Sequence, residues 1–333
     1  MTWFETLTGF REESPEQVRR NVSVDGETLT SHVNGRTMVC GRLETPSLAE
    51  LRERVRIGGC CDGGRTSVRE LVADVRALHA DTAMAGSLFQ VASQFNLLEM
   101  VSPDVTPEEG VGIYDDDFTQ GPACAVAAGA GTIYRNYFAP VNGRIGQSAD
   151  NQIDCLADLG AALGNSGNCL WRMRNGYALA TQDGLDRISK RLRASSEHER
   201  DGLRQLMRIG IQWDTQVTPE ECRHTVSQTY CSALPVAYSR HSPSLWAEFA
   251  RLVLEASYEA TICAAILNSK RNGNTRLFLT LLGGGVFGNE IDWIIEAIRR
   301  ALTLYRQAGL DAAIVSYGSS KGHVRRLVEE LGL

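Results

Sequence analysis

The sequence predicts an α/β domain: a mixed, largely parallel sheet flanked by helices on both faces, three layers in all. Three observations carry this. Short apolar runs alternate with amphipathic helical patterns along most of the chain, the order that builds a parallel sheet covered on both sides. The run Arg276-Leu277-Phe278-Leu279-Thr280-Leu281-Leu282 is apolar without polar alternation, as a strand buried on both faces should be. And 333 residues, 43% of them hydrophobic, suffice for one large core or two modest ones.

Residues 1–64 are polar and mixed, punctuated by Asp25-Gly26, Asn34-Gly35 and Gly58-Gly59, and they close on the break Cys60-Cys61-Asp62-Gly63-Gly64. They read as a partly regular N-terminal extension, with 65–333 as the domain. From Thr66 onward Val68, Leu71, Val72, Val75 and Leu78 fall on one helical face. Residues 87–92 read as a short buried strand that delivers the loop Ser93-Gln94-Phe95-Asn96-Leu97-Leu98-Glu99. Pro122 suits the first turn of a helix, where a missing N–H costs nothing, and small residues in 123–134 let that helix pack closely. Asp115, Asp116 and Asp117 therefore stand just before a helix N-terminus.

Residues 150–163 predict a helix, 170–180 a hairpin turning at Asn175-Gly176, and 185–207 one long charged helix. Strands come next at 209–213 and 226–231, then a long amphipathic helix at 245–267. The strand 276–282, a helix at 291–305, a strand at 312–317 and a helix at 321–331 close the pattern.

Composition excludes several classes of function. The formal net charge is -6 with Lys and Arg scattered, so no basic stripe could neutralise a run of phosphates, and no nucleic-acid partner is expected. No stretch reaches the ~18 uncharged apolar residues of a membrane span, so no membrane partner is expected either. The start Met1-Thr2-Trp3-Phe4-Glu5 lacks the pattern of a secretory signal. Nine cysteines, an odd number without Cys-x-x-Cys spacing, read as reduced thiols and place the protein in a cytoplasm, its own or a host's. The histidines are isolated, without the His-x-x-x-His of helical zinc sites, so no metal is expected.

Gly283-Gly284-Gly285-Val286-Phe287-Gly288 matches Gly-x-Gly-x-x-Gly between a strand and a helix, the context of a dinucleotide fingerprint. The remainder of that fingerprint is missing. The next strand ends Ser316-Tyr317-Gly318 without an acid to hold the ribose, and only fifteen residues remain. The glycines still let backbone approach a ligand closely, and free N–H groups before a helix favour an anion such as a pyrophosphate. The plain alternative is a tight strand-to-helix turn. No Gly-Lys-Ser or Gly-Lys-Thr occurs, which disfavours P-loop chemistry.

The strand, this glycine loop with Asn289, and the helix after it resemble the diphosphate-binding loop of macrodomains, which bind ADP-ribose. Longer strings resemble, more narrowly, the divergent MavL-type macrodomains, a group associated with removing ADP-ribose from ubiquitin arginine. These strings are Phe95-Asn96-Leu97-Leu98-Glu99, Tyr114-x-x-Asp117-x-Thr119-Gln120-Gly121-Pro122-Ala123-Cys124-Ala125, Gly129-Ala130-Gly131-Thr132-Ile133-Tyr134-Arg135-Asn136-Tyr137 and Tyr230-Cys231-Ser232-Ala233-Leu234-Pro235. The resemblance covers residues 65–333 and implies a macrodomain-like sheet with ADP-ribose as ligand or product. It implies that Gly283, Gly284, Gly285, Val286, Phe287 and Gly288 hold the diphosphate, with Asn96 on ribose hydroxyls and Gln120 and Gly121 offering backbone donors to phosphates. An ADP-ribosylated protein, ubiquitin among the candidates, is the implied partner. The chain departs from hydrolytic macrodomains in having Ser93-Gln94-Phe95-Asn96 for Asn-Ala-Ala-Asn and an acid cluster for Gly-Gly-Gly-Val-Asp-Gly.

Cleaving a glycosidic bond at the distal ribose passes through a cation-like anomeric carbon, so a carboxylate is needed to stabilise that charge or to activate water. Asp117, which heads Asp-x-Thr-Gln-Gly-Pro, is the first candidate, followed by Asp115 and Glu99. Converging acids raise one another's pKa, which suits proton transfer. The alternative is a solvated or helix-capping acidic loop. No cofactor is required; two of these carboxylates with water would suit Mg²⁺, but nothing in the spacing demands it. Cys231 has no neighbouring histidine and reads as a buried thiol rather than a nucleophile. Tyr177 and Trp213-Asp214, at strand ends, are adenine contacts or core edges. The leading expectation is an ADP-ribosylhydrolase; a non-catalytic ADP-ribose reader is second, and an NAD-dependent oxidoreductase rests on the glycine fingerprint alone.

Overall fold

Leu88–Ala92 is buried at every position but its last, because strands flank both its edges and helices cover both its faces. In the computed structural model of the chain, which describes residues 1–58, 64–219 and 222–332, it is the central one of seven strands. In chain order these are β1 (Arg42–Glu44), β2 (Ser67–Val72), β3 (Leu88–Ala92), β4 (Gly210–Gln216), β5 (Thr225–Cys231), β6 (Arg276–Leu279) and β7 (Asp311–Ser316). They lie side by side as β1-β4-β5-β3-β6-β7-β2. From β5 to β2 every pairing is parallel, while β4 pairs antiparallel with both β5 and β1.

Alternate side chains of β3 reach opposite layers, as the two-residue period of a strand requires. On one face Phe89 stacks on His79 of the helix Val75–Ala80, with ring centres 3.8 Å apart. Beside it Gln228 donates to the Cys124 carbonyl in the helix Gln120–Ala127 (2.9 Å). On the other face Gln90 donates to Thr261 of the 30-residue helix Pro243–Asn272 (3.0 Å). The three layers and the mixed, largely parallel sheet are the class that the sequence predicts.

Residues 1–58 are more regular than their composition suggests. Two helices (Trp3–Thr8 and Pro15–Asn21), a three-stranded antiparallel meander (Val22–Asp25, Thr28–Ser31 and Thr37–Val39), β1 and the helix Leu48–Ile57 succeed one another. β1 is an edge of the main sheet, and Leu48, Leu51 and Val55 enter the main core. Phe4, Leu7, Val18 and Leu29 build a second core with Leu98, Met100, Tyr114 and Ile133. The break expected at Cys60-Cys61-Asp62-Gly63 and the second glycine of Gly58-Gly59 lie outside the described residues.

Four local expectations are corrected. The helix predicted from Thr66 is instead β2 followed by a helix at Val75–Ala80: Ser67 to Val72 pair one for one with β7, and the helix starts only where the Asp74 carboxylate caps it. The helix expected over 150–163 is confined to Ala157–Leu163. The long helix at 185–207 is two, Gln182–Ala194 and Glu197–Arg204, because Ser196 opens the second with a capping box to Glu199. And β6 stops at Leu279, three residues early, for a reason that belongs to the site.

Candidate active site

β6 and β3 are paired only through Leu277–Leu88 and Phe278–Phe89. Past Phe89 the two parallel strands part, and side chains take over the ladder. Gln120 Oε1 accepts the Ala92 N–H (2.9 Å) and its Nε2 donates to the Gln90 carbonyl (2.8 Å), while Gln90 Oε1 accepts the Thr280 N–H (3.3 Å). With its backbone groups satisfied in this way, the sheet can open without a desolvation penalty. The result is a cleft at the C-terminal ends of the strands, where open α/β sheets take their ligands.

One wall is acidic. The loop after β3 turns at Leu97, whose φ of 67° is left-handed, and Arg135 Nε holds the Leu97 carbonyl at 3.1 Å. This turn brings Glu99 to the cleft, where its N–H donates to the Tyr114 hydroxyl (2.9 Å). Glu99 is 2% exposed, and its Oε1 has no hydrogen-bond partner. Burial holds its pKa well above the ordinary carboxyl value; the Arg135 cation pulls it down and Asp117 pushes it up further, without reversing the sign. Asp117 lines the same cleft at the mouth and accepts the Thr119 N–H (2.8 Å), fixing the approach to the helix Gln120–Ala127. Gly121 packs against Glu99: a Cβ there would collide with the Ala92 carbonyl and Glu99 Oε2.

The opposite wall is the glycine loop. Gly283 and Gly288 have positive φ, and the loop closes on itself through Gly284 N–H to the Leu281 carbonyl, Gly288 N–H to Gly285 and Asn289 N–H to Gly283. The helix does not begin until Ile291, so the loop's own backbone, rather than a helix N-terminus, faces the cleft. Gly283, Gly285, Val286 and Phe287 line it, and among the described residues their N–H groups have no acceptor. Successive free N–H groups of this kind make an anion-binding concavity. Behind them Tyr177, Tyr238 and Phe287 form an aromatic cluster with ring centres 5.0 to 5.6 Å apart.

Of the residues singled out in the sequence, the cleft thus gathers Glu99, Asp117, Gln120, Gly121, Gly283, Gly285, Val286, Phe287 and Tyr177. It does not gather the others. Asn96 is buried within its own loop, accepting the Leu98 N–H (3.1 Å) and donating to Gln152 (2.9 Å). Asp115 accepts the Trp3 N–H (2.6 Å), away from the cleft. Gly284 packs against Ile294 and Gly288 against Ala237. Gln120 lends its side-chain amide to β3, and its own N–H and that of Gly121, at the start of their helix, have no acceptor among the described residues. Trp213 is a core edge whose indole donates to Glu44 (2.6 Å), with Arg271 over its ring. Burial pushes the Cys231 thiol up to about 11, in keeping with an inert strand cysteine. Sequence reasoning missed Tyr238 and Gln94, both lining, and Arg135 behind Glu99; each lies within or just beyond one of the strings that carry the resemblance. Among the described residues no group of three or more His, Cys, Asp or Glu side chains is placed to hold a metal ion.

No family model matches the chain, and no curated protein matches it. Among solved structures it is similar to a poly(ADP-ribose) glycohydrolase from Thermomonospora curvata, at 12% identity over 96% of each chain with a TM-score of 0.48. It is similar also to a poly(ADP-ribose) glycohydrolase from Deinococcus radiodurans in complex with ADP-ribose, at 14% identity over 88% of this chain and 95% of that one, TM-score 0.46.

Proposed function

We propose that the cleft binds an ADP-ribosyl group and hydrolyses the glycosidic bond at its distal ribose. One observation carries this reading: Glu99, buried with an unpartnered Oε1 and a raised pKa, shares a single cleft with a glycine loop in which the N–H groups of Gly283, Gly285, Val286 and Phe287 lack acceptors among the described residues. A ligand that completes both walls carries an anion at one end and a group needing a proton at the other. An ADP-ribosyl adduct has that form, its diphosphate on residues 283–287 and its anomeric carbon between Glu99 and Asp117.

The chemistry rests on the two environments. Glu99, kept protonated by burial, donates its proton to the departing atom as the glycosidic bond breaks. Asp117, at the wetter mouth, stabilises the cation-like ribose. Water then adds to the anomeric carbon and its proton returns to Glu99, so that free ADP-ribose and the unmodified acceptor are the products. The aromatic cluster supplies an apolar surface for the adenine. The acceptor we favour is a protein arginine, with ubiquitin arginine the first to test, on the strength of the MavL-type strings. The working compartment is a cytosol.

The test is release of ADP-ribose from arginine-ADP-ribosylated ubiquitin, run beside calorimetry with free ADP-ribose. We expect turnover by the unaltered chain, and an Asp117→Ala variant that binds ADP-ribose while turnover is abolished. Binding without turnover by the unaltered chain would make the protein a reader instead, and full turnover by Asp117→Ala would remove Asp117 from the chemistry.

A further inference from the structure

The acidic wall is held from outside the cleft. Residues 110–117 form a short turn, with a 3₁₀ segment at Gly112–Asp116, and two residues of the N-terminal segment grip it. Glu12 Oε1 accepts the Val111 N–H (3.0 Å) and the Tyr137 hydroxyl (2.5 Å), and its Oε2 accepts the Gly112 N–H (2.6 Å). Trp3 donates its indole N–H to the Val111 carbonyl (3.0 Å) and its backbone N–H to Asp115 (2.6 Å). The fit is close: a Cβ on Gly110 would meet the Glu12 carboxylate, and one on Gly129 the Trp3 ring. On its inner side the same turn carries Tyr114, whose hydroxyl accepts the Glu99 N–H, and Asp117, whose N–H donates to the Tyr114 carbonyl (3.3 Å).

We infer that Glu12 is a positioning residue for the hydrolysis, holding the 110–117 turn, and through it Asp117 and Glu99, in register with the cleft. This rests on the functional reading above. The half-buried carboxylate accepts two adjacent backbone N–H groups and a hydroxyl, bonds that an ionised acceptor makes about twice as strong as a neutral one does. Glutamine cannot replace it. Whichever way the amide is turned, an NH₂ group faces a backbone N–H, and one of the two donors loses its acceptor.

Three chains decide it: the unaltered protein, Glu12→Gln, and Val18→Ala, which thins the same N-terminal core but removes none of the hydrogen bonds that hold the turn. In Glu12→Gln we expect kcat to fall about tenfold, the loss that one strong positioning hydrogen bond supports, with KM and the Kd for ADP-ribose changed by less than about twofold. Amide exchange over 111–117 rises in step, and Val18→Ala keeps kcat. Unchanged kcat in Glu12→Gln overturns the inference, as does an equal fall in Val18→Ala, which would make the effect one of general loosening. Absence of turnover by the unaltered protein defeats the functional reading instead; the brace is then judged by exchange alone, and unchanged protection at 111–117 in Glu12→Gln overturns it.

Discussion

Two glutamates in this molecule are equally buried and oppositely tuned. Glu259, in the middle of the Pro243–Asn272 helix, is 1% exposed; Glu99, at the cleft, is 2% exposed. Burial pushes both pKa values up. Around Glu259, Arg52 donates from Nε (2.6 Å) and Nη2 (2.9 Å) and Arg300 from Nη1 (2.6 Å), and these bonds hold its pKa below the ordinary carboxyl value. Around Glu99 the Arg135 guanidinium spends its donors on the Leu97 carbonyl, Thr132 and the Tyr230 hydroxyl, and the pKa stays raised. The difference is one of completion: the fold satisfies Glu259 and leaves Glu99 for something that the cleft will hold.

The sharpest way to break that comparison is to make each acid an amide. Glu99→Gln removes the proposed proton donor while keeping its shape, so on that reading turnover should fall by about 10³-fold, roughly 4 kcal/mol of transition-state stabilisation, with ADP-ribose affinity little changed. Single-turnover assays and calorimetry measure both, and a variant that turns over normally would leave Glu99 as a buried acid without a role. Glu259→Gln should do the reverse. It removes one of the two carboxylates that face Arg52 and Arg300, which keep Asp201, so a loss of about 2 kcal/mol in urea unfolding is expected, with kcat of the folded protein intact.

A smaller effect separates the two acids by the sign of their pH dependence. The raised pKa of Glu99 means that its contribution is fully present below the ordinary value of 4.5 and is lost as pH rises through its folded value. The lowered pKa of Glu259 gives stability that is present above 4.5 and lost as pH falls through its folded value. Relative to Glu99→Gln, the unaltered protein should therefore lose stability as pH is raised from 4.5. Relative to Glu259→Gln, it should lose stability as pH is lowered below 4.5. Urea midpoints for the three chains between about pH 3 and pH 8 read both slopes, and slopes of the same sign would mean that Glu99 is satisfied within the fold after all.

β3 to β7 were legible because they are short apolar runs that need no distant partner to be recognised, whereas β1, Arg42–Glu44 within what reads as an N-terminal extension, was not. Nor was β2: Val68, Leu71 and Val75 keep a helical spacing, and only pairing with β7, more than 240 positions away, makes an extended strand of Ser67 to Val72. The same split runs through the site. Gly283, Gly285 and Asp117 could be found because a glycine loop and an acid before a helix are local patterns. Asn96, a ribose ligand on paper, is consumed by Leu98 two positions on and Gln152 beyond. Glu99, third in the order of candidates, gains its character from burial against Tyr114 and Arg135, and no local pattern records burial.

Asp115 offers the finest test of that lesson, because sequence places it beside Asp117 with the same chemistry and the structure gives the two different partners. Asp115 Oδ2 receives the Trp3 N–H, 112 positions away, whereas Asp117 lines the cleft. Asp115→Asn keeps a carbonyl oxygen for that N–H and loses only the charge. The cost to turnover should stay within about threefold, under roughly 0.7 kcal/mol, far short of the loss at Asp117. Kinetics of the two variants side by side settle the matter. A loss of a hundredfold or more at Asp115 would put its carboxylate in the reaction, and the acidic wall would then work as a pair of aspartates rather than as Asp117 with Glu99.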